Sequence, residues 1–361
     1  MTESASPIVW CLLAGRAGDD AQILALARAL GWTIVCKRLH FNRKKSWPNL
    51  LLGASVASLD RSRSDPLTPP WPDVVIASAR HSAPVSLWIK KRSGGCTRLV
   101  HLQYAEAPLE KFDLVVTMPH FCLPKRANVL EVPAPLNRPD ATRMAEATRR
   151  WQDRIEALSS PRTAVLVGGS NSVFGLDESV AQRLGRAASE HARAVGGSLL
   201  VTTSPRTPAA AVSALEGAID APALFYRWRR DDPENPYPAY LALADDFIVT
   251  ADSSSLIAEA CALGKPVQLF EAPPFPTSRP TFRSLGRRAG RIADRFPAGR
   301  RAFRWAVEKG LVNSPRDFAA LHRGLRERGL LRRLGENTGS EPPIPLEHIE
   351  EAAARIRALV E

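Results

Sequence analysis

Residues Phe247 to Glu271 read FIVTADSSSLIAEACALGKPVQLFE, and their reading decides the fold. Ile248, Val249 and Thr250 make a short run with buried-strand character. Asp252-Ser253-Ser254-Ser255 is turn chemistry. Leu256, Ile257, Ala260 and Leu263 recur at helical spacing, which predicts a helix of about two turns. Gly264 closes it and Pro266 cannot continue it. Val267 to Phe270 is a second apolar run. Strand, polar turn, helix and strand together are the repeating unit of a parallel α/β sheet. The N–H groups at the start of such a helix favour an anion above Ser253 to Ser255. Glu259, on the same helix, can accept hydrogen bonds from sugar hydroxyls. An equally open reading is that the serines only cap the helix and Glu259 is solvated.

Working back from this unit, the alternation starts at Pro161. Thr163 to Val167 reads as a strand, with the small-residue turn Gly168-Gly169-Ser170-Asn171 at its carboxyl end. A helix follows over Leu176 to Val195, then a strand over Leu199 to Thr202 ending in Thr203-Ser204-Pro205-Arg206-Thr207. Ala209 to Ile219 reads as helix, Ala223 to Trp228 as strand and Ala239 to Ala244 as a short helix. In a parallel sheet three loops converge: Gly168 to Ser170, Ser204 to Arg206 and Asp252 to Ser255. Glycine admits close backbone approach, serine and backbone N–H groups satisfy phosphate oxygens, and Arg206 can grip a diphosphate through two parallel bonds. No Walker lysine follows a glycine-rich loop, which disfavours a P-loop ATPase.

The first half alternates in the same way. Ile8 to Leu13 is a strand, followed by the loop Gly15-Arg16-Ala17-Gly18-Asp19-Asp20 and a helix that stops at Gly31. The glycine spacing is not that of a dinucleotide fingerprint, so a plain tight turn is favoured over a phosphate loop. Arg16, Asp19 and Gln22 are expected to face the cleft above the strand's carboxyl end. Further strands are read at 33–39, 74–77, 99–102, 114–117 and 129–132, with helices at 50–59 and 84–91. His81, His101 and His120 fall at strand ends. There a histidine serves as a general base or, more commonly, as a structural residue.

The chain of 361 residues is comfortable for two domains. Pro133 to Asp140 is a proline-rich boundary. The predicted division is an N-terminal domain over 1–138, a linker helix over 139–160, a C-terminal domain over 161–335, and a final helix within 341–361 that packs back on the first domain. The formal net charge is +12, which suits an anionic partner. Between Arg279 and Arg333 there are 16 Arg/Lys against 4 Asp/Glu, so this stretch carries the whole excess. Its interleaved apolar residues predict amphipathic helices with a cationic face. That face fits anionic lipid, RNA or plain solvent. Cys11, Cys36, Cys96, Cys122 and Cys261 show no zinc spacing and read as buried, reduced thiols. No metal site is expected. No signal-peptide n-region or membrane-spanning run is present, so a cytoplasmic protein is expected, held peripherally at the inner face of a membrane.

In combination, VLVGGSNSVFGLDE (Val165–Glu178), LLVTTSPRTP (Leu199–Pro208), ENPYPAYLALADDFIVTADSSSLIAEACALGKPV (Glu234–Val267) and GRAGDDAQILALARALG (Gly15–Gly31) resemble the bacterial and plant family named for the mitochondrial-fission factor "elongated mitochondria". FDLVVTMPH (Phe112–His120) matches more loosely. The resemblance implies two Rossmann-like parallel-sheet domains facing across a cleft, as in GT-B glycosyltransferases. It also implies a link to envelope polysaccharide or lipopolysaccharide assembly. Two departures stand out: Tyr104-Ala105-Glu106-Ala107 replaces an Asp-Pro-Arg pattern, and Phe121 replaces an Asp after His120.

The expectation is therefore a metal-independent glycosyltransferase that takes a nucleotide-sugar as substrate, needs no cofactor, and acts on an anionic glycan or lipid-linked acceptor. Donor residues are Gly168, Gly169, Ser170, Ser204, Arg206, Asp252, Ser253, Ser254, Ser255 and Glu259. Acceptor-side residues are Gly15, Arg16, Gly18 and Gln22, with Asp19 and His120 as candidate bases. If its carboxylate faces the cleft, Glu259→Ala is expected to weaken donor binding with little loss of stability. The rival is a non-catalytic scaffold binding membrane or a protein through the basic stretch. No RNA-recognition motif supports a nucleic-acid partner.

Overall fold

The first apolar run forms β1 (Ile8–Leu13), and its buried side chains set the pattern for the first unit. The computed structural model describes residues 6–170, 174–271, 297–314, 316–336 and 343–361.

The first unit is built on β1, β2 (Thr33–Arg38), β3 (Val74–Ser78), β4 (Arg98–Leu102), β5 (Leu114–Thr117) and β6 (Val129–Glu131). All pairings are parallel and the order is β2-β1-β3-β4-β5-β6. The central strands are apolar throughout because helices cover both faces of such a sheet. Helix α1 (Ala17–Leu30) connects β1 to β2, and α3 (Ala79–Arg92) connects β3 to β4. Gly31 ends α1 at φ +71°. Chain order reverses between β1 and β3, so their carboxyl ends open the crevice where such sheets take ligands.

The second unit repeats the plan with β7 (Arg162–Leu166), β8 (Ser198–Thr202), β9 (Ala223–Tyr226), β10 (Asp246–Thr250), β11 (Val267–Phe270) and β12 (Arg332–Arg333). Its order is β12-β11-β10-β7-β8-β9, again parallel. Connections run through α5 (Glu178–Val195), α6 (Ala209–Gly217), α7 (Tyr237–Leu243) and α8 (Ser254–Cys261). Here the reversal falls between β7 and β10.

Several expectations are corrected. The helix expected over 50–59 is only α2 (Asn49–Leu52), because Gly53 turns the backbone to φ +55° after one turn. Leu59 instead pairs with Phe41 in an isolated antiparallel bridge. All five cysteines are free, but only Cys11 and Cys261 are buried; Cys36, Cys96 and Cys122 are exposed. Burial pushes the Cys11 and Cys261 thiols up to about 12.

The division of the chain also differs. The first unit comprises 1–137, 280–321 and 347–361, and the second 138–279 and 322–346. The predicted linker helix, α4 (Ala141–Glu156), packs on α7 and sets Trp151 edge-on to Tyr240. The basic stretch is divided between the units: 297–321 belongs to the first, while 322–333, with β12, belongs to the second. Its helix α9 (Pro297–Glu308) buries Val307 in the first core. The Tyr104 hydroxyl donates to the Val307 and Val312 carbonyls at 2.7 and 2.9 Å. The next helix is α10 (Phe318–Glu327). Residues 279–296 of the basic stretch, with Phe282, Leu285, Ile292 and Phe296, lie outside the described residues.

Helix α11 (His348–Arg357) packs on α1 and buries Ile349, Ala352, Ala353 and Ile356. Each isoleucine contributes roughly 1.5–3 kcal/mol by leaving water. The Arg357 guanidinium donates to the Ala29 carbonyl at 2.6 Å, and Arg98 donates to that of Leu359 at 3.1 Å. Among the described residues no helix is long and apolar enough to cross a membrane.

Two glycines test the seating of the basic stretch. A Cβ on Gly310, at φ +69°, would lie 2.6 Å from the Ala107 Cα, whereas one on Gly324 inside α10 meets nothing within 4 Å. Gly310→Ala is expected to lower stability by more than about 2 kcal/mol. Gly324→Ala is expected to raise it by roughly 0.5–1 kcal/mol. Urea unfolding of the two variants reads both signs.

Candidate functional site

The carboxyl ends of β7, β8 and β10 bring the second-unit residues together around one buried carboxylate. Asp252 follows β10, and its side chain is 4% exposed. It accepts from the Gly169 N–H at 2.9 Å and from the Thr250 hydroxyl at 2.7 Å. The Arg206 guanidinium pairs with it at 3.0 Å while staying 44% exposed. The Thr250 oxygen accepts in turn from the Gly168 N–H at 2.8 Å. The Gly168 carbonyl accepts from the hydroxyls of Ser204, at 2.5 Å, and Thr207.

Both glycines are sterically required. A Cβ on Gly168 would meet the Asp252 carboxylate at 2.3 Å, and one on Gly169 the Arg206 carbonyl oxygen at 2.2 Å. The diglycine N–H groups are thus bonded within the protein. The Ser170 hydroxyl accepts from the Leu176 N–H at 3.0 Å.

Helix α8 starts at Ser254 with Ser253 as N-cap, and the Ser253 side chain makes no capping bond. The first-turn N–H groups project from this end, and the helix dipole makes it positive. Glu259, one turn on, accepts from the Tyr237 phenol. Burial first, then the Glu259 charge, push that phenol well above its ordinary 10. The expectation that Glu259→Ala costs little stability is corrected on this ground. Truncation strands a buried hydroxyl, at about 1–3 kcal/mol.

In the first unit the 15–20 loop closes on Asp20, which accepts from the Ala14 and Gly15 N–H groups at 3.0 Å each. Gly15 takes φ +73° to make the turn. Asp19 accepts from the Gln103 amide at 2.7 Å and pairs with Arg16 at 3.6 Å. Gln22 does not face a crevice: it is buried in the stripe of α1 that lies on the sheet. Its amide donates to the Gly18 carbonyl at 3.2 Å and accepts from the Leu136 N–H at 3.3 Å. The Gly18 carbonyl also accepts from Asn137.

His120 is buried, with its ring centroid 4.3 Å from that of Phe121 and 5.0 Å from that of Phe318. His101 is fully buried beside Phe112, and burial pushes it down to about 3. It stays neutral at ordinary pH. No group of three His, Cys, Asp or Glu among the described residues is arranged to hold a metal.

Sequence reasoning missed Thr250, Thr207, Tyr237 and Gln103. Thr250 and Thr207 each sit within two positions of a residue that was singled out, and a threonine ending a buried strand is itself a signal. Gln103 carries none, because its role depends on a backbone φ of +70° after β4.

Two parallel Rossmann-like sheets in one chain, each with its conspicuous loop at a reversal of strand order, define a protein of the GT-B-like class. A family model described as Mitochondrial fission ELM1 matches residues 17–288, and the chain belongs to that family. The Mitochondrial fission protein ELM1 of Arabidopsis thaliana is 30% identical over 225 residues, covering 56% of this chain and 52% of the plant protein. The chain thus spans about half the length of that relative. An uncharacterized protein of Rickettsia prowazekii, RP120, is 25% identical over 300 residues, covering 74% of this chain and 84% of its own.

Similar solved structures include Arabidopsis thaliana UGT89C1 complexed with quercetin, at TM-score 0.46 and 12% identity, with 98% of this chain and 99% of that one covered. The glycosyltransferase SnogD from Streptomyces nogalater gives TM-score 0.45 at 14% identity, with coverage of 98% and 100%.

Burial outweighs the Arg206 charge and the hydrogen bonds, so the Asp252 carboxyl titrates above its ordinary 3.8. The folded protein therefore takes up this proton more readily than the unfolded chain. The group's contribution to stability falls as pH rises from the ordinary carboxylate value through the raised folded one, and is flat above. Asp252→Asn should remove that fall and stay within about 1 kcal/mol of the parent at neutral pH, whereas Asp252→Ala should cost roughly 2–4 kcal/mol. Unfolding at several pH values checks both.

Proposed function

We propose that the protein is a glycosyltransferase whose second unit binds the diphosphate of a nucleotide-sugar. The observation that carries this reading is the convergence of Gly168, Gly169, Arg206 and the α8 N-terminus where strand order reverses between β7 and β10. Open α/β sheets take ligands at that point. As the bond from the sugar's anomeric carbon to the diphosphate breaks, negative charge grows on the leaving phosphate oxygen. The helix N-terminus and the exposed side of Arg206 supply fixed positive potential there, with no metal required by the scheme.

The acceptor hydroxyl attacks the anomeric carbon, and its proton passes to a general base. Of the two candidate bases read from the sequence, Asp19 suits proton acceptance better than His120: it lies in the first turn of α1, just after the β1 carboxyl end, while His120 is enclosed by aromatic rings. Glu259 serves a donor hydroxyl at the cost of its bond to Tyr237. The acceptor is an anionic glycan or lipid-linked sugar of the cell envelope. The cationic face of α9 draws the protein to the cytoplasmic side of an anionic membrane. There Arg301 and Arg304 join Lys125 and Arg126 along an open groove of about 430 Å³.

One observation favours a second reading, a non-catalytic scaffold. The diglycine N–H groups already serve Thr250 and Asp252, so these amides reach a phosphate only if that network rearranges. Donor hydrolysis in the absence of acceptor separates the two readings.

The test is thermal unfolding with UDP, GDP, ADP, CMP and dTDP and their sugars. One nucleotide is expected to stabilise the protein, by about 2.7 kcal/mol at a hundredfold excess over its Kd. Arg206→Ala is expected to weaken that binding at least tenfold. Stabilisation by none of them would remove the donor assignment.

A further inference from the structure

The strongest unassigned feature is an exposed tip between β2 and β3. The sequence there is Arg43-Lys44-Lys45-Ser46-Trp47-Pro48-Asn49-Leu50-Leu51. Trp47 is 50% exposed, Leu50 60% and Leu51 73%. These are large apolar side chains held out of the core, clustered within five positions, and flanked by three exposed cations. Isolated exposed leucines are ordinary, but a contiguous group of this kind marks a contact surface.

The tip is held in place. The Asn42 side chain accepts from the Lys44 N–H at 2.9 Å and donates to the Ala57 and Leu59 carbonyls at 3.0 and 2.9 Å. The Arg80 guanidinium donates to the Lys45 carbonyl at 2.7 Å and to that of Trp47 at 3.2 Å. Asn49 is buried and donates to the Arg80 and Ala105 carbonyls at 2.7 and 2.8 Å. Arg80 follows β3 and Ala105 follows β4, so the tip is fastened to the carboxyl edge of the first sheet. The α9 groove lies elsewhere, beside Arg126 in the turn that feeds the amino end of β6.

We propose that this tip enters the interface of an anionic lipid bilayer, with Leu50 and Leu51 reaching the acyl boundary, Trp47 at headgroup level and Arg43, Lys44 and Lys45 on the lipid phosphates. Each residue type matches a layer of the interface. Leucine gains by leaving water, the indole keeps one polar edge wet, and the cations meet anionic headgroups. The Lys44 ammonium already lies 5.7 Å from the Trp47 ring centroid, which keeps charge and aromatic surface side by side. A nucleic acid would account for the cations and the indole but not for two exposed leucines. The proposal does not rest on the donor assignment, because its test reads vesicle binding and not nucleotide binding.

The experiment is co-sedimentation of the full chain with vesicles of phosphatidylcholine alone and of phosphatidylcholine mixed with phosphatidylglycerol. The parent is expected to bind the mixed vesicles and to be released by salt. The triple variant Trp47→Ala/Leu50→Ser/Leu51→Ser is expected to bind at least about tenfold more weakly with an unchanged melting temperature, since its sites are exposed. Lys44→Gln/Lys45→Gln is expected to lose about fivefold per charge. Arg301→Ser/Arg304→Ser on α9 is expected to lose less than the triple variant. Equal vesicle binding by the parent and the triple variant would overturn the proposal. So would a parent that ignores vesicles while the triple variant alters only RNA binding or self-association.

Discussion

A carboxylate taken out of water must be met by donors, and at Asp252 that requirement organises the second unit. Its oxygens take one backbone N–H, one hydroxyl and one guanidinium, drawn from the ends of three strands. Gly168 and Gly169 are glycines because Asp252 and Arg206 come too close for a side chain. The first unit uses the same device at its own reversal of strand order, where Asp20 accepts from the Ala14 and Gly15 N–H groups. In both units burial raises the carboxyl above its ordinary value, so each turn carries an electrostatic cost that its hydrogen bonds only partly offset. Carboxylates also tie the other edge of the sheets: Asp73, Asp113 and Asp245 accept from the Ile8, Leu99 and Arg162 N–H groups. Such a frame fixes where the loops at the carboxyl edges begin.

Much of this was legible in the sequence, because buried parallel strands are continuous apolar runs and the helices between them stop at glycine or proline. The stretch from Phe247 to Glu271 shows every boundary it needs. Legibility failed where a long-range partner decides. Apolar residues from Leu50 onward suggest a helix, yet a positive φ at Gly53 ends it after one turn. Gln22 has the polarity of a crevice residue, but its position on α1 turns it into the protein, where it meets the Leu136 N–H of the segment after β6. The Asp252 network was half visible: the glycines, Arg206 and Asp252 stand out, while Thr250 and Thr207 look like ordinary strand and turn residues. Charge counting found the basic stretch but could not say that its α9 part joins the first unit, since that depends on Tyr104, far away in sequence.

The two departures from the family pattern acquire a physical sense. Tyr104 and Ala107 receive the segment from Val307 to Val312, through two hydrogen bonds and a backbone approach that only Gly310 allows. The ring of Phe121 lies under the Arg316 guanidinium at 4.0 Å, and its carbonyl accepts from the Ser314 hydroxyl. At both places this chain covers its own surface with a basic helical segment.

The first unit is assembled from stretches that lie far apart in the chain, whereas the second has most of its sheet in one run. Arg357 closes on Ala29 across 328 positions. During synthesis, strands β7 to β11 emerge and can pair before α9 and α11 exist. Until then the apolar face of α1 and the Tyr104 loop stay uncovered. This order makes the half that is made first the one that matures last, and gives it the longer interval in which a chaperone, or another nascent chain, can occupy the place of its own C-terminal helix.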